Sequence, residues 1–206
     1  MLSFLTNVLL FCFITKAQCA NFTSTKAKPP PLKPNVNQKE VELHRLDLRI
    51  GNVTHVYLHP NSSHLYCETV DVGEGKDRVI VSGLANYMQP WQLLNTRVVV
   101  VCNLKPAKFR GVLSQGMILC ASETYNNVTR VEVIHPPEDS KAGNRVFIHN
   151  RTGMPDPMLN PKERVWPQIQ VDLKTNDEGH VVWKNQRLET IHGPLKVYLL
   201  KNAPVY

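Results

Sequence analysis

The sequence has little of what catalysis requires. Its five cysteines, Cys12, Cys19, Cys67, Cys102 and Cys120, form no Cys-x-x-Cys pair, so a zinc knuckle has no ligand set. Gly73-Glu74-Gly75-Lys76 lacks the leading glycine and the Ser or Thr of a phosphate loop. There is no Gly-x-Ser-x-Gly elbow to present a nucleophilic serine. His55, His59 and His64 are close in sequence but have no helix-borne metal spacing, and they read as turn and surface residues. The carboxylates are scattered, with no pair marked out for acid–base work. No internal repeat is visible. These absences point to a binding protein that is not an enzyme and needs no cofactor or metal.

Acidic residues are also in the minority. The 206 residues hold 24 Lys and Arg against 17 Asp and Glu, a net charge of +7. That favours an acidic partner such as nucleic acid, an anionic membrane or an acidic polysaccharide. The length allows one or two domains with a real core, and 42% hydrophobic content is ordinary for a globular chain. Cys67, Cys102 and Cys120 lie in apolar, strand-like runs and read as buried thiols.

No apolar run is long enough to span a bilayer comfortably. Leu2 to Ile14 is nearly all apolar but short. With Ala17-Gln18-Cys19 before a cut at Ala20, residues 1–20 look like a secretory signal, although no Lys or Arg precedes the apolar core. A wrong start site or an unusual first exon is the competing reading. The N-x-S/T triplets at Asn21, Asn52, Asn61, Asn127 and Asn150 are compatible with secretion. Residues 21–42, rich in proline and lysine, read as an extended linker.

From Leu43 the pattern turns to strands. Leu46, Leu48 and Ile50 alternate with polar residues, and the phase runs on through Thr54, Val56 and Leu58. Gly51 in mid-strand predicts a bulge or sharp bend, as where one strand serves two sides of a barrel. Further strands are expected at Leu65–Val72, Arg78–Ser82, Arg97–Val101 and Gly116–Ala121, with a short helix opened by Pro90. Five strands with a helix before the fourth predict a five-stranded OB-fold barrel over 43–122. Between the last two strands, residues 102–119 hold Lys105, Lys108 and Arg110 and no acid. Pro106 and Gly111 oppose a helix there, so the cations are expected on irregular backbone held by a sheet. Each would neutralise a phosphate and release a counterion; a merely solvated basic turn is the competing reading. Residues 123–206 read as a second β-rich segment. Strands are expected at Arg130–Ile134, Arg145–His149, His180–Trp183, Arg187–Ile191 and Lys196–Leu200. A helix is expected from Asn160, kinked or ended by Pro167.

An ordered set of motifs adds to this. Leu46-Asp47-Leu48-Arg49-Ile50-Gly51, His59-Pro60, Val81-Ser82-Gly83-Leu84, Asn103-Leu104-Lys105-Pro106-Ala107-Lys108 and Arg110-Gly111-Val112-Leu113-Ser114-Gln115 with Met117 form its first half. Leu159-Asn160-Pro161-Lys162, Trp166, Gln168-Ile169-Gln170 and Thr175-Asn176-Asp177-Glu178 continue it. Together they resemble the OB-fold tRNA-binding domain of the endothelial monocyte-activating polypeptide II family. That family includes the C-terminal part of the multisynthetase-complex auxiliary protein and of metazoan tyrosyl-tRNA synthetase.

The resemblance implies a mainly β fold in which the C-terminal segment packs on the barrel and imitates a dimer partner, giving a monomer. It implies tRNA binding as a non-catalytic cofactor of aminoacyl-tRNA synthetases, in the cytoplasm. It assigns Lys105, Lys108 and Arg110 to phosphates and sets Asn103, Ser114, Met117 and Arg49 near the binding face, with Phe109 as a further stacking candidate. The chain departs from the family after Gly51, where Asn52-Val53-Thr54-His55 replaces the mammalian cytokine-associated stretch. Residues 1–42 also replace the lysine-rich helical extension of the auxiliary members. A secreted, cytokine-like signalling protein on the same barrel is the alternative, and it requires residues 1–20 to act as a signal.

Overall fold

The alternation at Leu48 and Ile50 belongs to one long strand, β1 (Leu48–Leu58), around which the fold is built. The computed structural model describes residues 41–149, 151 and 153–206, so the signal-like segment and nearly all of the linker lie outside the described residues. Next come β2 (Tyr66–Asp71), β3 (Arg78–Ser82), the short helix α1 (Pro90–Leu93) and β4 (Arg97–Val101). The chain then forms β5 (Ala107–Phe109), β6 (Val112–Ser114) and β7 (Met117–Ile118). The main sheet is antiparallel, in the order β3-β2-β1-β4-β7, and curls into a nearly closed barrel of the OB type. The expected fifth strand is divided. Met117–Ile118 pairs with β4, and from Cys120 the chain leaves the barrel as a hairpin of β8 (Cys120–Tyr125) and β9 (Val128–Val133).

β1 does serve two sides of the barrel. Leu48–Asn52 pairs with β4 and Asn52–Leu58 with β2, so Asn52 is opposite both Arg97 and Asp71. The expected bulge is displaced, however. Register is unbroken through Gly51, and the irregularity lies between Val53 and His55. Val53 already faces the barrel core with Gly51, and the slip after it breaks the predicted phase so that Val56 packs against that same core. Gly51 has a steric reason instead: a Cβ there would meet Val70 Cγ1 at 2.5 Å and Val100 Cγ2 at 3.0 Å.

Two apolar cores share the barrel wall. Val53, Val70, Ile80, Val98, Val100 and Ile118 fill the barrel interior. Leu48, Ile50, Val99, Val101 and Leu119 point the other way, into a core completed by Val165, Ile169, Leu173, Trp183, Leu188 and Leu195. β4 is therefore apolar on both faces because both are covered, which is why it reads as an unbroken run of valines.

The C-terminal half supplies that cover. It contains β10 (Phe147–Ile148), α2 (Val165–Gln170), β11 (Leu173–Thr175), β12 (Val181–Trp183), β13 (Gln186–Thr190) and β14 (Gly193–Pro194). β12 and β13 turn tightly through Lys184 and Asn185, both at positive φ (49° and 62°) as a two-residue hairpin turn requires. Asn160 accepts from the Lys162 N–H at 3.1 Å and caps one 3-10 turn, Pro161–Glu163. The helix is interrupted before Pro167: Arg164 adopts φ 52°, and α2 restarts after it. Pro167 then falls in the first turn of α2, where its missing N–H has no partner to lose. The strand expected at Lys196–Leu200 is reduced to isolated bridges of Lys196 with His135 and His180. It ends because the buried Glu132 carboxylate accepts the backbone N–H groups of Tyr198, Leu199 and Leu200 at 2.6, 3.0 and 2.9 Å.

Candidate nucleic-acid interface

The cations sit on mixed backbone, which corrects the sequence expectation in part: Lys105 lies on the irregular stretch before β5, Lys108 on β5 itself and Arg110 in a tight turn. β5 and β6 form a hairpin, with Ala107 opposite Ser114, Lys108 opposite Leu113 and Phe109 opposite Val112. Arg110 and Gly111 make its two-residue turn at φ 45° and 102°, the pair of positive φ values such a turn demands. Pro106 stands just before β5, where no ladder bond is lost. Lys108 and Arg110 are exposed on this hairpin and Lys105 is exposed just before it, and no carboxylate within residues 102–119 offsets them.

The base of the hairpin is held by Arg78. Its Nη1 donates to the carbonyls of Cys102 and Gln115, one at each end of the cationic segment. Its Nε and Nη2 form a fork on Glu74 at 2.8 and 2.7 Å. That bond holds the Glu74 carboxyl below its ordinary range. The same segment closes the barrel. Gln115 N–H donates to Val79 O at 2.8 Å, and Ser114 Oγ accepts from the Val81 N–H at 3.0 Å. The β6 end of the hairpin thus bridges the gap between β3 and β7.

The tip is held by the turn after β1. His59 is 2% exposed; its Nδ1 accepts from the Asn61 N–H at 3.0 Å, which leaves Nε2 to donate to Phe109 O at 2.9 Å. Asn61 Nδ2 donates to Arg110 O at 3.1 Å, and Arg110 Nη1 donates to Asn61 O at 3.0 Å. A hairpin fixed at base and tip presents its charges with little ordering entropy left to lose on binding.

The other candidate residues are placed differently. Asn103 is buried: its Nδ2 donates to Arg45 O and Asp156 O, both at 2.8 Å, and its Oδ1 accepts from Asp47 N at 3.0 Å. Ser114 is 3% exposed, with its hydroxyl donating to Gly116 O at 3.0 Å. Both are ties within the fold. Met117 packs, partly buried, against the core shared with the C-terminal half. Arg49 bonds Asp47 at 2.9 and 2.7 Å and Glu74 at 3.1 Å, so two carboxylates offset its charge and that of Arg78. The structure therefore leaves Lys105, Lys108 and Arg110 exposed with no ion pair among the described residues, and sets Arg49 in a neutral network. Cys102 is no nucleophile, because burial pushes its thiol up to about 12.

Two positioning residues carry little sign of their role in the sequence. Arg78 opens an expected strand, and Glu74 four residues before it is the one local hint of a partner. His59 was read as a turn residue, and nothing local announces that it reaches Phe109.

Comparison with known proteins agrees with this geometry. Residues 48–145 match the family model described as "Putative tRNA binding domain". The chain is 46% identical over 156 residues to aminoacyl tRNA synthase complex-interacting multifunctional protein 1 of Cricetulus griseus, covering 76% of this chain and 42% of that one. It is 43% identical over 174 residues to cytoplasmic tyrosine–tRNA ligase of Danio rerio, covering 84% and 33%. The crystal structure of the C-terminal domain of Plasmodium vivax p43 superposes with a TM-score of 0.75 at 29% identity, covering 81% of this chain and 100% of that chain. The chain spans less than half the length of the curated relatives it matches. The barrel is thus a tRNA-binding domain of the OB type. The chain belongs to the family of such domains related to endothelial monocyte-activating polypeptide II.

Proposed function

We propose that this protein captures tRNA through the β5–β6 hairpin and serves as a non-catalytic cofactor for aminoacyl-tRNA synthetases. The observation that carries the reading is the hairpin with its approach: three exposed cations, Lys105 just before β5 and Lys108 and Arg110 on the hairpin, on a backbone fixed at both ends with no acid among them. Phosphate contacts of this kind position an RNA by its folded shape and carry no sequence information. The names of the relatives, a synthetase and a synthetase complex-interacting protein, support the cofactor role. Lys105, Lys108 and Arg110 are the phosphate contacts in this reading. Asn103, Ser114 and Met117 contribute by holding the hairpin, and Arg49 by anchoring Arg78 through Glu74.

Residues 43–122 form the binding barrel and residues 123–206 the cap. The cap stands where a second subunit would pack, over Leu48, Ile50, Val99 and Val101, and the protein acts as a monomer. A titration of tRNA into the full chain and into the Lys105→Ala, Lys108→Ala, Arg110→Ala triple variant tests the reading. A large loss of affinity is expected; unchanged affinity would sink it.

A further inference from the structure

The hairpin accounts for phosphates but offers no open ring to a base: Phe109 is half-buried, with its carbonyl held by His59. An aromatic surface lies beside it. Tyr57 precedes by two residues the histidine that holds the hairpin tip, about 7 Å along the strand. Register sets its neighbours. Tyr57 is opposite Cys67 on β2, and Cys67 is opposite Val81 on β3. Burial, and then the neighbouring Cys67 thiol, raise the pKa of the Tyr57 hydroxyl, as expected for a ring set beside β2. Cys67 is 0% exposed and Val81 8%, whereas Tyr57 keeps 47% of its surface. Tyr57 is thus partly covered beside a buried floor, with about half of its surface open. Val81 is tied in turn to Ser114 of the hairpin through its N–H, so ring, floor and hairpin form one rigid surface. In the next row along the strands stand His55, Thr69 and Val79, which offer no second platform of this size.

We propose that Tyr57 is a stacking platform for one unpaired nucleobase of the bound RNA, next to the phosphates held by Lys108 and Arg110. The inference rests on the RNA-binding reading above. Base–aromatic stacking is tolerant of base identity, so the platform detects an unpaired nucleotide and not a sequence. A continuous duplex, whose bases stay stacked, gains nothing from it. Tyr57 therefore favours folded RNA with exposed loops over plain helix.

The test uses the full chain, a tRNA transcript and a blunt RNA duplex with the same number of phosphates. Tyr57→Leu keeps an apolar cover on Cys67 but removes the π-face; Tyr57→Phe keeps the ring. Tyr57→Leu is expected to weaken tRNA binding about tenfold, with the salt dependence and duplex binding unchanged, while Tyr57→Phe binds as wild type. Wild-type tRNA affinity in Tyr57→Leu, or equal loss on tRNA and duplex, overturns the proposal. If Tyr57→Leu does not fold, 2-aminopurine at the unpaired loop positions of the tRNA reads the same contact in the wild-type chain. Fluorescence quenching at one position is expected, and none at any position overturns the proposal. The triple cation variant separates the two readings. If it binds tRNA normally, the RNA-binding reading itself has failed; if it loses tRNA while Tyr57→Leu does not, only the stacking platform has.

Discussion

Glu68 makes barrel stability depend on pH in a direction opposite to that of most surface carboxylates. It lies on β2 between Val56 and Ile80, is 0% exposed, and faces the interior. The Ser82 hydroxyl donates to Oε1, while Oε2 is buried without a partner. Burial pushes the carboxyl from 4.5 up to about 7, against the Ser82 bond, which favours the charged form. Between these values the folded chain binds more protons than the unfolded chain. Stability is therefore lost as pH rises from 4.5 through about 7, at about 1.4 kcal/mol per pH unit and about 3 kcal/mol in all. Glu68→Gln keeps an acceptor for Ser82 and cannot ionise. Its unpartnered amide N–H costs something, but by a constant amount at every pH. The stability of Glu68→Gln minus that of wild type should therefore grow by most of 3 kcal/mol between pH 5 and pH 8.5. In melting temperature that is about 6–12 °C for a body of this size. Urea denaturation followed by tryptophan fluorescence measures it. The subtraction cancels histidines such as His135, whose pKa burial lowers and which would tilt stability the other way. A difference that stays flat across this range would refute the reasoning.

Other substitutions follow from the same contacts. Gly51→Ala forces a methyl to within 2.5 Å of Val70 Cγ1; a destabilisation of about 1–3 kcal/mol is expected in denaturant titration, and an unchanged midpoint would contradict the packing account. Arg78→Ala strips the carbonyls of Cys102 and Gln115 and the Glu74 carboxylate of a shared donor. A stability loss of about 1–3 kcal/mol and weaker tRNA binding are expected. Lysine should not rescue it, since one ammonium cannot reproduce the fork on Glu74 and the two carbonyl bonds together. His59→Ala frees the hairpin tip from Phe109 O; tRNA affinity should fall a few-fold with an unchanged slope against salt, because no phosphate contact is removed.

Much of the barrel was legible because its strands carry local signals. Period-two alternation marked β1, a valine run marked β4, and Pro90 marked the opening of α1. The motifs from Leu46 to Glu178 placed the whole arrangement in its family. What stayed hidden was non-local. The alternation of Leu48 and Ile50 marks the cap-facing side of β1, and the barrel side holds Gly51, whose meaning depends on Val70 nineteen residues away. The slip at Thr54 leaves no mark in composition. Pro106 and Gly111 looked like loop residues, yet Gly111 with Arg110 is what a two-residue hairpin turn needs. At the site the cations were visible and their supports were not. Asn103 and Ser114 carry the family motif, but their hydrogen bonds run to Arg45, Asp156 and Val81, which no spacing discloses.

The central claim is that the β5–β6 hairpin reads RNA through phosphates on a fixed frame. The most direct measurement is a tRNA titration of the full chain at several salt concentrations, with duplex DNA of equal charge as competitor, repeated on the triple variant of Lys105, Lys108 and Arg110. The account predicts a preference for tRNA over the duplex and a log–log slope against salt that falls by about 2–3 units in the variant, about 0.7–0.9 per cation. Equal affinity for duplex DNA, or a slope that the variant leaves unchanged, would contradict it.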